Sequence, residues 1–268
     1  MEYLFDSWDK LKKDLDDKAI VLFLDFDGTL APIADTPEKA VIPPETKAVL
    51  RKISENSSFR LAIISGRKLS DIKRMVGIKG VIYCGSHGLE IEGLKIKHTV
   101  YISQQYRATL DKIKQAFREK GCGIKGIRLE DKGLILSFHY RLSDKKDAHF
   151  IRDLFSEVVS SFVQKNEIKT IAGKMVFEVM PPVNWDKGKA VLWLLARWRF
   201  ALAGRRVMPI YIGDDITDED VFKALRKKGM TIFVGQCLSD SSAQYYLRNH
   251  EEVGKFLKEL QEKNGRFN

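Results

Sequence analysis

Residues 23–30 read FLDFDGTL, and the reading of this stretch decides the architecture. It completes a wholly apolar run, Ile20–Leu24, of the kind that forms a central parallel strand covered on both faces. The run delivers two carboxylates, Asp25 and Asp27. Alternate residues of an extended chain point to the same side, so both can face one site. Like charges held together need a cation or a proton to offset their repulsion. Gly28 allows the chain to turn sharply beside a ligand. Aspartates at strand ends also serve turns and helix caps, so the pair by itself leaves both readings open.

Working outward, DGTLAPIADTPEKAVIPP reads as a loop. A helix over Glu45–Ser54, a strand over Arg60–Ile64, a helix from about Ser70 and a strand over Gly80–Cys84 follow. This is βαβ rhythm, for which an α/β sheet is the economical solution. The middle differs. Helices over Tyr106–Lys120 and Asp147–Phe162 each precede a strand pair, Lys125–Glu130 with Leu134–Tyr140 and Ile168–Ala172 with Met175–Met180. That order makes a compact α+β unit. After Pro181-Pro182 the βα rhythm returns. It has a helix over Gly188–Trp198, a strand over Pro209–Ile212, a helix over Asp218–Lys227, a strand over Met230–Val234 and a closing helix over Glu251–Leu260. The expected division is an α/β core of residues 1–103 and 183–268 interrupted by an α+β insert, 104–182. The site belongs at the carboxyl ends of the core strands.

Three further segments carry chemistry. IYIGDDITDEDVF, residues 210–222, brings Asp214 to a strand tip as Asp25 is brought, with Asp215 and Asp218 close behind. Hard oxygen ligands of this kind suit Mg²⁺, although acidic residues also favour the first turn of a helix. Ser65, between a strand and a helix, can hold a phosphate oxygen or simply cap the helix. Lys187, at a helix start, opposes the helix dipole unless an anion is present, and Lys189 competes with it by position.

The composition sets bounds. The chain has 268 residues, 44% hydrophobic and 31% charged, as in an ordinary globular protein. The start, MEYLFDSWDKLKKDLDDK, is mixed and charged, unlike a secretory leader. Runs such as AIVLFLDF are too short to span a membrane. Three widely spaced cysteines, Cys84, Cys122 and Cys237, fit a reducing, cytoplasmic compartment. A net charge of +10 favours anionic partners, yet no nucleic-acid-binding signature accompanies it.

DFDGTLAPI, SGR, the lysine of DKGKAV and GDDITDEDVF resemble the four motifs of the haloacid dehalogenase-like superfamily. More narrowly, the chain resembles trehalose-6-phosphate phosphatases. That likeness rests on GSHGLE at 85–90, RLEDKGLILSFHYR at 128–141, GKMVFEVMPP at 173–182, and SSAQYYLRNHEEVGKFLKEL near the end. The approach Val183–Lys187 is longer than in short family members and resembles the plant-type branch.

The resemblance implies a Rossmann-like core with a C2-type cap and phosphate-ester hydrolysis through an aspartyl phosphate with Mg²⁺. It makes Asp25 the nucleophile and Asp27 the acid, then the base. Ser65 and Lys187 hold the phosphoryl oxygens. Asp25, Asp214 and the backbone carbonyl of Asp27 bind the metal, with Asp215 and Asp218 as ligands or supports. It assigns substrate contacts to Gly66, Arg67, His87, Glu90, Glu130, His139, Arg141, Lys174, Glu178 and Asn184. The implied partner is a phosphorylated disaccharide, bound by a monomer. The same core also serves sucrose phosphate and mannosyl-3-phosphoglycerate phosphatases, and a phosphomutase would use the same pair of aspartates. A catalytically silent sensor is disfavoured because Asp25, Asp27, Lys187 and Asp214 are all present.

Overall fold

The computed structural model describes residues 1–34, 36–121, 124–202, 204–236 and 240–264. Cys122 and Cys237 lie outside the described residues; Cys84 is buried as a free thiol.

In chain order the elements are β1 (Glu2–Tyr3), α1 (Leu4–Asp14), β2 (Lys18–Asp25), α2 (Pro44–Glu55), β3 (Phe59–Ile64), α3 (Leu69–Val76), β4 (Ile82–Gly85), β5 (Glu90–Gly93), β6 (Ile96–Thr99), α4 (Gln104–Lys120), β7 (Arg128–Asp131) and β8 (Leu136–His139). They continue with α5 (Ala148–Gln164), β9 (Lys169–Gly173), β10 (Val176–Met180), α6 (Lys187–Ala201), β11 (Arg206–Gly213), α7 (Glu219–Leu225), β12 (Met230–Val234), β13 (Tyr245–Leu247) and α8 (His250–Asn264). The chain divides into two units. One comprises Met1–Thr99 with Trp185–Asn268, and the other Val100–Asn184.

The larger unit is a nine-stranded sheet, ordered β1-β13-β12-β11-β2-β3-β4-β5-β6. β2 pairs in parallel with β11 on one side and β3 on the other. Its alternate residues feed two separate cores. Ile20, Leu22 and Leu24 pack with residues of α1, α2, α3 and α8, while Ala19, Val21 and Phe23 pack with those of α6 and α7. Burial on both faces explains why β2 is an unbroken apolar run rather than an alternating one. From β2 the chain proceeds outward through β3 and β4, then returns to β11 and proceeds the other way through β12 and β13. The order therefore reverses between β2 and β11, which opens a crevice at their carboxyl ends.

The start of the chain is more ordered than its mixed composition suggests. Leu4 and Trp8 of α1 are buried, and the Trp8 ring meets Phe256 of α8 edge-on, centroids 5.0 Å apart. The β5–β6 hairpin at one edge of the sheet and the short β13, paired between β1 and β12, also lie beyond the sequence expectation. The chain leaves this unit just after His98 and returns at Trp185. The His98 ring stacks on Trp193 at 5.1 Å and lies 5.8 Å from Trp185.

The smaller unit has a four-stranded antiparallel sheet, ordered β7-β8-β10-β9. One face is apolar: Leu136, Phe138, Phe177 and Val179 pack with Ile113 and Phe117 of α4 and Ile151 and Phe155 of α5. Strand alternation puts Glu130, Ser137 and Glu178 on the other face, opposite one another across β7, β8 and β10.

Candidate active site

Asp25 ends β2, and Asp214 follows directly after β11, so the sequence places one carboxylate on each side of the switch point. Both are buried, each only 5% exposed. Asp218 is fully buried beside them, and one oxygen from each of the three carboxylates lies within 4.8 Å of the others. The turn after β2 is tight: the Gly28 amide donates to the Ala31 carbonyl at 2.7 Å, with Gly28 at φ +81°. A side chain at Gly28 would also strike Asp214, 2.1 Å from Oδ2. Glycine is thus required there both for conformation and for space.

Lys187 is the first residue of α6, and the Asp186 carboxylate caps that helix by accepting from the Lys189 amide at 2.8 Å. The Lys187 ammonium is 3% exposed and donates to Asp25 at 2.7 Å and to Asp218 at 2.8 Å. Burial works against its charge, but Asp218 and Asp25 outweigh that and raise its pKa. Lys189 is instead 41% exposed, beside Asp186. Of the two lysines, the structure brings Lys187 to the carboxylates.

Asp218 accepts a second hydrogen bond from the buried Tyr211 hydroxyl at 2.6 Å, and a third from the Asp215 amide at 2.9 Å. The Asp215 side chain completes a reciprocal cap with Asp218, and it does not join the carboxylate cluster. Asp218 spends most of its lone pairs on these donors, so it orders Lys187 and the loop after β11. Burial holds the Asp25 carboxyl well above the ordinary carboxylate range; Lys187 opposes this, while Asp218 and Asp214 add to it. Three buried carboxyl groups beside one ammonium need a proton or a further cation to offset their mutual repulsion, and an all-oxygen donor set of this kind fits a hard divalent cation.

Asp27 lies apart from this cluster. The Arg67 guanidinium grips both of its oxygens, with Nε to Oδ2 at 2.7 Å and Nη2 to Oδ1. Ser65 follows β3 and is buried. It does not cap α3, which starts at Leu69 with Lys68 in the capping position. Its hydroxyl accepts from the Arg67 amide at 3.1 Å, which leaves its own proton to donate.

Ser86, His87 and Gly88 are three consecutive residues of left-handed φ, +52°, +56° and +87°. For the first two this costs on the order of 1–3 kcal/mol each. The Ser86 amide binds the Arg67 carbonyl at 2.7 Å, the His87 amide binds the Ser65 carbonyl at 3.0 Å, and the Ser86 hydroxyl donates to Glu90 at 3.0 Å. This clamp lays the His87 ring against Gly66, where a side chain would come within 2.7 Å of it. Ser65, Gly66, Arg67, His87 and Glu90 are thereby gathered in one place. The Trp185 indole donates to the Gly88 carbonyl at 2.8 Å.

In the smaller unit, Glu178 is buried and accepts from Lys132 at 2.8 Å and Ser137 at 2.6 Å. His139 Nε2 bonds Glu130 at 2.8 Å. Burial pushes the Glu130 carboxyl up, but the His139 bond and the Lys132 charge outweigh it and leave it lowered. Arg141 donates to the Lys174 carbonyl at 2.9 Å, and the side chain of Asn184 is exposed. Sequence reasoning missed Lys132, Ser137 and Tyr211. Lys132 and Ser137 were findable through strand alternation from Glu130 and Glu178; Tyr211, inside an apolar strand, carried no local signal.

The trehalose-phosphatase family model matches residues 23–251. The chain belongs to that family. A relative described as probable trehalose-phosphate phosphatase D, from Arabidopsis thaliana, is 36% identical over 256 residues. The match covers 91% of this chain and 68% of the plant protein. The fold is shared with the C-terminal domain of trehalose-6-phosphate phosphatase from C. albicans, with a TM-score of 0.84 at 23% identity over 97% of this chain and 98% of that one. It is shared also with a haloacid dehalogenase-like hydrolase from Bacteroides thetaiotaomicron, TM-score 0.66 at 17% identity over 91% and 100% of the two chains. The trehalose-phosphatase model spans the two strand-tip motifs at Asp25 and Asp214, Lys187 and the whole smaller unit between them. In this trehalose-phosphatase family member a helix-flanked, mostly parallel sheet carries the acidic cluster.

Proposed function

We propose that this chain hydrolyses trehalose 6-phosphate to trehalose and phosphate, with Asp25 as the nucleophile. The observation that carries the reading is the buried Asp25–Lys187–Asp218 network beside Asp214, at the switch point of a trehalose-phosphatase fold. An Asp25 oxygen attacks phosphorus as the bond to the sugar oxygen breaks, and Asp27 gives that oxygen a proton. Water then attacks the phosphorus of the aspartyl phosphate, Asp27 takes a proton from it, and phosphate leaves with Asp25 restored. Lys187 and the Ser65 hydroxyl hold phosphoryl oxygens, opposing the charge that spreads over them in transfer. Asp25, Asp214 and the Asp27 backbone carbonyl would hold Mg²⁺, which when bound would supply charge neutralisation for the phosphoryl group.

Sugar hydroxyls are recognised by the polar sheet face of the smaller unit. Glu130, Lys132, His139 and Glu178 offer charged donors and acceptors there, with Arg141 and Lys174 at its margin. Charged hydrogen-bonding groups of this kind reject an analogue that leaves them unpaired. The buried free thiol of Cys84 is consistent with a cytoplasmic setting, and no described helix is long and apolar enough to cross a membrane.

The test is phosphate release across a panel of sugar phosphates, with Mg²⁺ and with chelator, for the wild type and Asp25→Asn. A Mg²⁺-dependent preference for trehalose 6-phosphate, abolished by the substitution, is expected. Preference for another sugar phosphate would overturn the substrate while keeping the chemistry. Undiminished activity in the variant would overturn the nucleophile.

A further inference from the structure

Asp25 and Asp27 are two residues apart, yet they are sorted onto different cations. Lys187 takes Asp25, and Arg67 takes Asp27 through both oxygens. An ammonium is a point charge, whereas a guanidinium engaged through two parallel bonds also fixes the plane of the carboxylate.

Arg67 is built to hold a fixed pose. Its side chain is only 12% exposed, while that of Asp27 is 41% exposed. The guanidinium carbon lies 5.2 Å from the centroid of the Phe26 ring, and Nη1 lies 3.4 Å from Met75 Sδ. The main chain is pinned as well: the Arg67 amide donates to Ser65 Oγ at 3.1 Å, and its carbonyl accepts from the Ser86 amide at 2.7 Å. One residue therefore links the loops after β2, β3 and β4, and the exposed member of the pair is the carboxylate.

We propose that Arg67 is the positioning residue for the acid–base carboxylate: it sets the orientation of Asp27 so that one oxygen faces the leaving group. A carboxylate has about four lone-pair sites, and Arg67 occupies one on each oxygen. The outward lone pair carries the proton that passes to the sugar oxygen. Arg67 makes this contribution through Asp27, without holding the phosphoryl group. The inference rests on the assignment of Asp27 as the acid.

The experiment exploits leaving groups. A sugar oxygen needs a proton as it departs, whereas p-nitrophenolate leaves without one. With the full chain and saturating Mg²⁺, kcat/KM is measured for trehalose 6-phosphate and for p-nitrophenyl phosphate. The proteins are wild type, Asp27→Asn, Arg67→Lys, Arg67→Met and the double variant Asp27→Asn with Arg67→Lys. Asp27→Asn is expected to depress the sugar substrate by at least about 100-fold and the aryl substrate far less. Both Arg67 variants should lower the sugar-to-aryl ratio by roughly tenfold, on the same scale. In the Asp27→Asn background, Arg67→Lys should add nothing, and inhibition by inorganic phosphate should be unchanged throughout.

Equal losses on both substrates, an additive double variant, or weakened phosphate inhibition would overturn the proposal in favour of direct phosphate binding. An unaltered ratio in Asp27→Asn would remove the acid from Asp27 and the proposal with it. Arg67→Lys keeps the charge, so its thermal melt serves as the folding control, and the ratio is read on whichever Arg67 variant folds.

Discussion

A methyl group on Gly28 would lie 2.1 Å from Asp214 Oδ2, and the backbone there has φ +81°. Gly28→Ala must therefore push apart the two loops that carry Asp25 and Asp214. The expected result is a fall in kcat/KM on the order of 100-fold, as for a misplacement of about 1 Å at a reacting centre. Kinetics together with a thermal melt check it, and near-wild-type turnover would contradict this account of the turn. At this scale the sequence was legible wherever a residue ends a strand, because geometry then fixes its direction; Asp25 and Asp214 are the examples. It was not legible where the deciding contact is distant in the chain. Lys187 and Lys189 are equivalent by position, and only the 31-residue reach to Asp218 separates them. Tyr211 reads as core because its hydroxyl finds Asp218 only after the loop folds back.

Between elements, the sheet of the smaller unit shows how alternation writes two functions into one strand. β8 gives Leu136 and Phe138 to the apolar core and Ser137 and His139 to the polar face. The lowered pKa of Glu130 makes a pH prediction. A carboxyl lowered in the folded state adds stability above its unfolded value, near 4.5, and loses it as pH falls through the folded value. Wild-type stability should thus decline more steeply below about pH 4.5 than that of Glu130→Gln, measured by denaturant titration at stepped pH; parallel curves would refute it. The elements that escaped sequence reading have physical reasons. The β5–β6 hairpin turns through Leu94 and Lys95, both at positive φ, +46° and +65°. Asn-Gly normally announces such a turn, so its signal was missing. α1 exposes a charged face, and its burial of Leu4 and Trp8 depends on α8, more than 200 residues later.

Across the whole molecule, the larger unit is built from two separated pieces of chain, and the smaller has its own core. Replacing residues 100–184 with a linker of ~5 Gly and Ser residues, enough to bridge the closely placed chain ends, should leave a cooperatively folded unit. It should still hydrolyse p-nitrophenyl phosphate while losing its preference for trehalose 6-phosphate; a truncated chain that retained this preference would move recognition away from the smaller unit. The buried carboxylates predict a second global property. Adding Mg²⁺ to chelated protein should raise Tm, by an amount that grows with the logarithm of the free cation concentration once this exceeds Kd, and Asp214→Asn should blunt the rise; calorimetry with and without the cation reads both. The ring cluster of His98, Trp185 and Trp193 has a historical consequence as well. Because the chain departs and returns at one spot, the 85 residues between are, to the host fold, a single long loop. Such a segment can be exchanged by recombination, or drift in sequence, without disturbing the heritable machinery of bond cleavage. Ancestry of the chemistry and ancestry of the substrate preference can then follow separate lines of descent.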